Sequence, residues 1–155
     1  MPEEWLIDGY NLLRDQESSP TQAALTRWMH RLASFASAKN ERSVLVVLDG
    51  QAPQGEWDAL CTRVFRIVHS GKITADSVIE KYLCDNKGRM RMTVVTKDIA
   101  IGRMARGSGA AVIDPEEFRR VLADDEDEAK ASLFRENVRG HGFHRPFGKK
   151  FKDAS

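Results

Sequence analysis

The segment Val44-Leu45-Val46-Val47-Leu48-Asp49-Gly50 decides the fold class. Its unbroken apolar run indicates a strand buried on both faces, which is typical of a parallel sheet. A shorter apolar run, Trp5-Leu6-Ile7, ends in the same Asp-Gly pair, at Asp8-Gly9. Three more runs predict further strands, at Val64–Val68, Met92–Val95 and Ala110–Ile113.

Helical patterns separate these strands. The apolar stripe from Leu25 to Ala36 predicts a long helix, with Ser19 as its N-cap and Pro20 at its first position. Further helices are predicted at Trp57–Arg63, at Ala75–Leu83, from Asp98 to Gly107 and from Asp114-Pro115 onward. Strands alternating with helices predict an α/β fold, with a mostly parallel sheet and right-handed crossovers. Sites in such sheets form at the carboxyl ends of the strands.

Composition sets the class of protein. The 155 residues carry 24 Lys plus Arg against 23 Asp plus Glu, a net charge of +1, which excludes a uniformly basic nucleic-acid coat and an acidic disordered chain. No apolar run approaches the roughly 20 residues of a membrane span, and no secretory signal is evident. Cys61 and Cys84 are interpreted as two reduced, buried thiols, so we expect a cytoplasmic protein.

The character of the chain changes near residue 123. We expect one domain over residues 1–123, then an acidic hinge at Asp124–Glu128, a short helix through Leu133 to Val138 and a basic tail. The segment from Arg135 to the end has a net charge of +4, which leaves −3 for residues 1–134. Phenylalanines interleave with the cations of the tail, a pattern that favours contact with RNA or the ribosome. The alternatives are a tail that docks on the domain and a simply solubilising end.

Three predicted strands end in an aspartate, namely Asp8, Asp49 and Asp98. Each of them alone could be a turn former or a helix N-cap. If the first strand is central and the second and fourth lie beside it, the three carboxylates converge on one point. The sequence therefore predicts a carboxylate cluster at the carboxyl edge of the sheet.

Two further acids accompany the third helix. Asp76 begins it and Glu80 lies four residues on, although the helix dipole alone explains Asp76 and a solvent-facing role explains Glu80. Carboxylates crowded in one cleft cannot all stay ionised without a counter-cation. Mg²⁺ and Mn²⁺ prefer oxygen ligands, whereas the scattered histidines show no zinc spacing. Such a site suits metal-assisted hydrolysis of phosphodiesters.

Four segments occur in a characteristic order. They are Trp5-Leu6-Ile7-Asp8-Gly9-Tyr10-Asn11-Leu12, Val46-Val47-Leu48-Asp49-Gly50, Ala75-Asp76-Ser77-Val78-Ile79-Glu80 and Val94-Val95-Thr96-Lys97-Asp98. Together they resemble the YacP-like NYN domain of the PIN-like nuclease superfamily, from about Trp5 to Leu122. The resemblance implies a three-layer α/β/α sandwich with strand order 3-2-1-4-5. It also implies metal-dependent endoribonuclease cleavage of single-stranded or flexible RNA.

The resemblance also assigns residues. Asp8, Asp49, Asp76 and Asp98 match the family's acidic, metal-binding positions, while Glu80 and Asn11 match the further acid and the asparagine of the catalytic set. Ser77 stands where a second aspartate is usual, and Lys97 stands where a small hydroxyl residue is common. Both departures bear on catalytic strength rather than on the fold.

An RNA substrate needs a positive approach surface. The candidates are Arg14, Lys72, Lys97, Arg103, Arg106, Arg145, Lys149 and Lys150, although a solvated, salt-bridged helix face is the alternative for the arginines of the fourth helix. A second functional hypothesis is a non-catalytic RNA- or ribosome-binding module. An aspartate-nucleophile phosphatase is disfavoured, because Tyr10 stands where that chemistry needs a second acid. We expect a monomer or weak homodimer.

Overall fold

A computed structural model describes residues 2–14, 21–49 and 55–141. The strands are β1 (Glu3–Asp8), β2 (Arg42–Leu48), β3 (Phe65–His69), β4 (Arg91–Val95) and β5 (Ala111–Ile113). The α-helices are α1 (Gly9–Arg14), α2 (Gln22–Ser37), α3 (Ala75–Asp85), α4 (Ile99–Gly107) and α5 (Pro115–His141). No helix in these described ranges is long and apolar enough to cross a membrane.

The five strands form one parallel sheet in the order β3-β2-β1-β4-β5. The predicted fold class and strand order are therefore confirmed. Asp8 pairs with Val47 on one side, and Ile7 pairs with Val95 on the other. This register places the carboxyl ends of β1, β2 and β4 side by side, as the carboxylate prediction required.

Helices cover both faces of the sheet. On one face, Leu6 of β1 packs in a buried cluster with Ile79 of α3 and Ile101 of α4. On the other face, the Trp5 ring lies 5.3 Å from that of Phe35 in α2 and 5.5 Å from that of Phe118 in α5, measured between centroids. Because side chains alternate along a strand, Glu4, Leu6 and Asp8 share the face that α3 and α4 cover.

Several elements differ from their prediction. Helix α2 begins at Gln22, and its N-cap is Thr21, whose Oγ1 accepts a 3.1 Å hydrogen bond from the amide of Ala24. The predicted cap Ser19 and Pro20 lie outside the described residues. The predicted helix at Trp57–Arg63 is reduced to a 3₁₀ turn at Asp58–Leu60. Helix α1 was not predicted, since six residues are too few to show a period.

The predicted hinge is wrong in its local structure. The acidic run Asp124–Glu128 lies inside the uninterrupted helix α5. No proline or glycine interrupts the segment between Glu116 and Arg139, and Lys130 stands four residues after Glu126, a favourable spacing for a helix. Two compact units divide the chain, Met1–Arg120 and Val121–Ser155.

The cysteines are free thiols, as expected, but they are not both buried. Cys61 is half-buried and Cys84 is exposed. Cys84 directly follows the buried Leu83 of α3 and so points to the opposite, solvent side of that helix.

Candidate active site

Asp8 is the centre of the candidate site. It is the last residue of β1, and only 4% of its surface is exposed. Its Oδ2 accepts a 2.9 Å hydrogen bond from Nδ2 of Asn11 and a 3.0 Å bond from Oγ1 of Thr96. The carboxyl group is thus held in one orientation at the carboxyl edge of the sheet.

The ionisation of Asp8 is strongly perturbed. Burial raises its pKa from the usual 3.8 to about 6, against the opposing effect of the Thr96 hydroxyl and the Asn11 backbone amide. The negative charges of Asp76 and Asp98 raise the pKa further. The fold therefore brings Asp8, Asp76 and Asp98 close enough for their charges to interact.

Asn11 links the two loops that carry these acids. Its Nδ2 donates to Asp8, and its Oδ1 accepts a 2.8 Å hydrogen bond from the backbone amide of Lys97. Gly9, between Asp8 and Asn11, allows the chain to pass close to β2. A β-carbon at Gly9 would come within 2.6 Å of the Leu48 side chain and 3.1 Å of the Val47 carbonyl oxygen.

Thr96 is a site residue that sequence reasoning missed. Its hydroxyl donates to Asp8 and accepts a 3.1 Å hydrogen bond from the amide of Asp98. The available signal was the alternation along β4, since Met92, Val94 and Thr96 fall on the face that Asp8 occupies. The hydroxyl that the family pattern places at position 97 is thus present one residue earlier.

Asp98 combines the two roles that the sequence left open. Its Oδ1 accepts a 3.0 Å hydrogen bond from the amide of Ile101, so that it is the N-cap of α4. Its charge also acts on Asp8. One carboxylate therefore begins a helix and faces the site.

The other predicted acids lie at different depths. Asp76 is in the first turn of α3, exposed to solvent but within electrostatic range of Asp8. Asp49 is half-buried and directly follows β2. Glu80 is exposed, and neither Asp49 nor Glu80 is among the charges that shift the pKa of Asp8.

Ser77 has a local role in the structure. The N-cap of α3 is Thr74, whose Oγ1 accepts a 3.1 Å hydrogen bond from the amide of Ser77. The two hydroxyl oxygens lie 3.0 Å apart. Ser77 therefore supports the start of the helix that carries Asp76.

Two polar groups at the end of β3 were also not predicted as part of the site. His69 Nδ1 and the buried Oγ of Ser70 have no hydrogen-bond partner within the described ranges. The amide of Ser70 donates to the carbonyl of Leu48, directly before Asp49. The polar edge of the sheet thus extends from β4 to β3.

The carboxylate oxygens of the site can be compared with the ligands that a metal ion requires. Among the described residues, no three His, Cys, Asp or Glu side chains are grouped closely enough to hold an ion. Mg²⁺, however, usually keeps several water ligands and is held by only one or two carboxylates plus substrate phosphate. Asp8 with one of its two interacting neighbours, Asp76 or Asp98, fits that pattern, and the raised pKa of Asp8 marks a place where a cation would relieve repulsion.

The predicted cations divide into two groups. The first group is exposed, on segments that begin at the carboxyl edge of the sheet. It consists of Lys72, Lys97, Arg103 and Arg106. The second group lies outside the described part of the chain. It consists of Arg145, Lys149, Lys150 and the side chain of Arg14.

The family model of the YacP-like NYN domain matches residues 5–152, nearly the whole chain. The chain belongs to this family. The domain of the family is of the PIN-like nuclease type, so the coarse functional class is a nuclease-related protein.

Solved structures show the same fold. The crystal structure of Rae1 (YacP) from Bacillus subtilis has a TM-score of 0.72 at 21% identity, covering 88% of this chain and 82% of that one. A tryptophan-to-leucine mutant of Rae1 gives a TM-score of 0.68 at 22% identity, with coverages of 88% and 84%. No curated protein matches the sequence.

Proposed function

We propose that this protein is a metal-dependent endoribonuclease that hydrolyses phosphodiester bonds in single-stranded or flexible RNA. Membership of the YacP-like NYN family supports the nuclease class. The observation that carries the proposal is the state of Asp8, a buried carboxyl group with a pKa of about 6 beside two further acids. Such a costly arrangement is typical of functional sites.

The carboxylates supply the ligands for a cation. We assign Asp8, Asp49, Asp76 and Asp98 to hold Mg²⁺ or Mn²⁺ together with water, and Glu80 to complete the site or orient the attacking water. The bound ion would supply activation of water and neutralisation of charge on the phosphate.

Two neighbouring side chains orient the Asp8 carboxyl group and stabilise its ionised form. They are Asn11 and Thr96, which both donate hydrogen bonds to the same oxygen. Asn11 also fixes the loop before Asp98 through the amide of Lys97. These two residues are positioning residues, because they act through Asp8.

RNA is the proposed partner of the exposed cations near the site. Exposed Lys72, Lys97, Arg103 and Arg106 would attract the RNA backbone. Association with the ribosome through the basic tail, a cytoplasmic location and a monomeric or weakly dimeric state are part of the proposal.

Cleavage of RNA by the wild type and by Asp8→Asn, with Mg²⁺ or Mn²⁺, tests the function. We expect Asp8→Asn to lower the rate at least about 100-fold, because it removes charge stabilisation at the phosphate. Asp85→Asn is the matched control, since Asp85 is an exposed acid at the far end of α3, paired with Lys81. Its activity should equal that of the wild type.

Two outcomes would count against the proposal. Equal activity of the wild type and Asp8→Asn would show that the site is assigned wrongly. RNA binding without cleavage under any divalent ion would support a non-catalytic RNA- or ribosome-binding module instead.

A further inference from the structure

Among the described residues of the unit Met1–Arg120, two large apolar side chains are exposed, and both lie near acids of the candidate site in the sequence. Ile73 is 58% exposed and lies three residues before Asp76. Ile99 is 72% exposed and directly follows Asp98. Within the described ranges, the other large exposed hydrophobic side chains, Leu133, Phe134 and Val138, belong to the second unit. Isolated exposed apolar residues are common. Each of these two, however, stands close in sequence to one of the two acids that act on Asp8, Ile73 to Asp76 and Ile99 to Asp98, which makes them candidates for a contact surface at the site.

The exposed face of α4 continues this surface. Ile99, Arg103 and Arg106 are spaced by four and three residues, so they line one side of the helix. Ile101 and Ala105 occupy the opposite, buried side. The face therefore begins with an apolar side chain beside Asp98 and continues with two guanidinium groups, each about one turn further from the site.

A cation also accompanies the second isoleucine. Lys72 directly precedes Ile73 and is exposed. In the part of the chain that the structure describes, no carboxylate forms an ion pair with Lys72, Arg103 or Arg106. The partner of this surface should therefore combine negative charge with accessible apolar area.

We propose that Ile73 and Ile99 pack against unstacked bases next to the scissile phosphate, while Lys72, Arg103 and Arg106 hold neighbouring phosphates. This inference rests on the proposed ribonuclease function and names the feature of RNA that the site selects. Apolar side chains reach the faces of bases only where the bases are unstacked. A paired helix presents its phosphates but hides its base faces, so the two isoleucines favour unpaired RNA.

Binding can be measured separately from cleavage. The protein is the full chain carrying Asp8→Asn, and the probes are a short oligouridylate and an abasic ribose-phosphate strand of equal length and charge. Gel analysis after each titration verifies that the RNA is intact. We expect the oligouridylate to bind more tightly than the abasic strand, since only the former offers base faces.

The isoleucines are then replaced in the same background. Ile73→Ala and Ile99→Ala should each weaken oligouridylate binding roughly threefold to tenfold, because part of an aliphatic contact is lost. Neither should change the affinity for the abasic strand. Ile99→Leu should retain most of the preference for bases, and Leu133→Ala, a similarly exposed aliphatic residue in the second unit, should leave both affinities unchanged.

The results separate this inference from the proposed function. If the ratio of the two affinities is the same in the alanine variants as in the parent, the base contact is wrong, even where cleavage still depends on Asp8. If the alanine variants lower both affinities equally, the isoleucines act on the fold or on the phosphates, and the inference is also overturned. A loss of affinity that is confined to the oligouridylate supports the contact between the isoleucines and the bases.

Discussion

Asp8 is a nearly buried carboxyl group at the end of β1, and its ionisation is costly in the folded protein. A carboxyl group that is almost fully buried loses hydration, and its ionised form is further repelled by Asp76 and Asp98. The hydrogen bonds from Asn11 and Thr96 offset part of this penalty. The remaining rise in the pKa of Asp8 connects the site to the stability of the protein.

The first prediction concerns how the free energy of unfolding depends on pH. The pKa of Asp8 is raised from 3.8 to about 6 on folding. The folded state therefore binds a proton more tightly than the unfolded state, and the free energy of unfolding falls as pH rises through this window. Relative to the wild type, Asp8→Asn should gain stability above pH 6, by up to about 3 kcal/mol.

Urea unfolding of both proteins without divalent ions, at pH 4 and pH 7.5, measures this difference. The gain in the free energy of unfolding should be small at pH 4 and largest at pH 7.5. A gain of equal size at both pH values would contradict the raised pKa of Asp8.

The second prediction concerns Thr96. Thr96→Val removes a donor that stabilises ionised Asp8, so the pKa of Asp8 should rise further. A carbon-13 NMR titration of the Asp8 carboxyl group would follow this change. Thr93→Val is the matched control, because Thr93 lies in the same strand beside Trp5, on the other face of the sheet. An unchanged pKa in Thr96→Val would show that the hydroxyl does not support the ionised state.

At the scale of elements, helix α3 is tied to the sheet by a polar cluster around one buried glutamate. Glu4 of β1 is fully buried and accepts hydrogen bonds from the hydroxyl groups of Ser43 and Tyr82. Arg66 of β3 donates to the same glutamate at 2.8 Å. Burial and the Glu4 carboxylate raise the pKa of Tyr82, and its protonated hydroxyl donates to Glu4. Tyr82 thereby anchors the helix whose first turn carries Asp76.

The third prediction tests this anchor. Tyr82→Phe removes one donor from a buried carboxylate and should lower the free energy of unfolding by about 1–2 kcal/mol. Lys81→Ala, which breaks only the exposed pair with Asp85, should cost less than about 0.5 kcal/mol. Urea unfolding at neutral pH compares the two. Equal costs would mean that the polar cluster around Glu4 adds no more stability than a surface ion pair.

At the scale of the whole molecule, the net charge of +1 is a poor guide to function. Exposed arginines collect on α4, whereas five consecutive acids lie in α5 at Asp124–Glu128. A near-neutral total therefore arises from charges of opposite sign on different elements. An RNA strand responds to the local field, because salt screens charges beyond about 10 Å at 0.1 M ionic strength.

The fourth prediction uses this local field. The affinity for oligouridylate should fall as salt rises, and the double change Arg103→Ala with Arg106→Ala should lower the slope of log affinity against log salt by about 0.7 for each lost phosphate contact. Arg120→Ala is the control, since Arg120 pairs with Glu116 on α5. A slope unaffected by the α4 changes would remove Arg103 and Arg106 from the RNA surface.

The sequence by itself determined the order of the strands and main helices, and it predicted that Asp8, Asp49 and Asp98 stand at the carboxyl ends of strands. Apolar runs ending in Asp8 and Asp49 identify strands and their carboxyl ends, because burial and alternation act on neighbouring residues. The order 3-2-1-4-5 came from the family resemblance, and the tertiary structure confirmed it. The position of Asp98 was predicted correctly, with its capping role and its place near Asp8 left as alternatives.

Only the tertiary structure decided which groups meet. Thr96 reaches Asp8 across 88 positions of sequence, and Tyr82 reaches Glu4 across 78, distances over which no local pattern carries information. The register of β1 between β2 and β4 sets these contacts, together with the depth at which each acid is buried. Depth separates Asp8, whose pKa is strongly raised, from Glu80, which is exposed, although the sequence predicted both as site acids. Desolvation is a property of the folded surroundings, so the chemistry of the site became visible only in three dimensions.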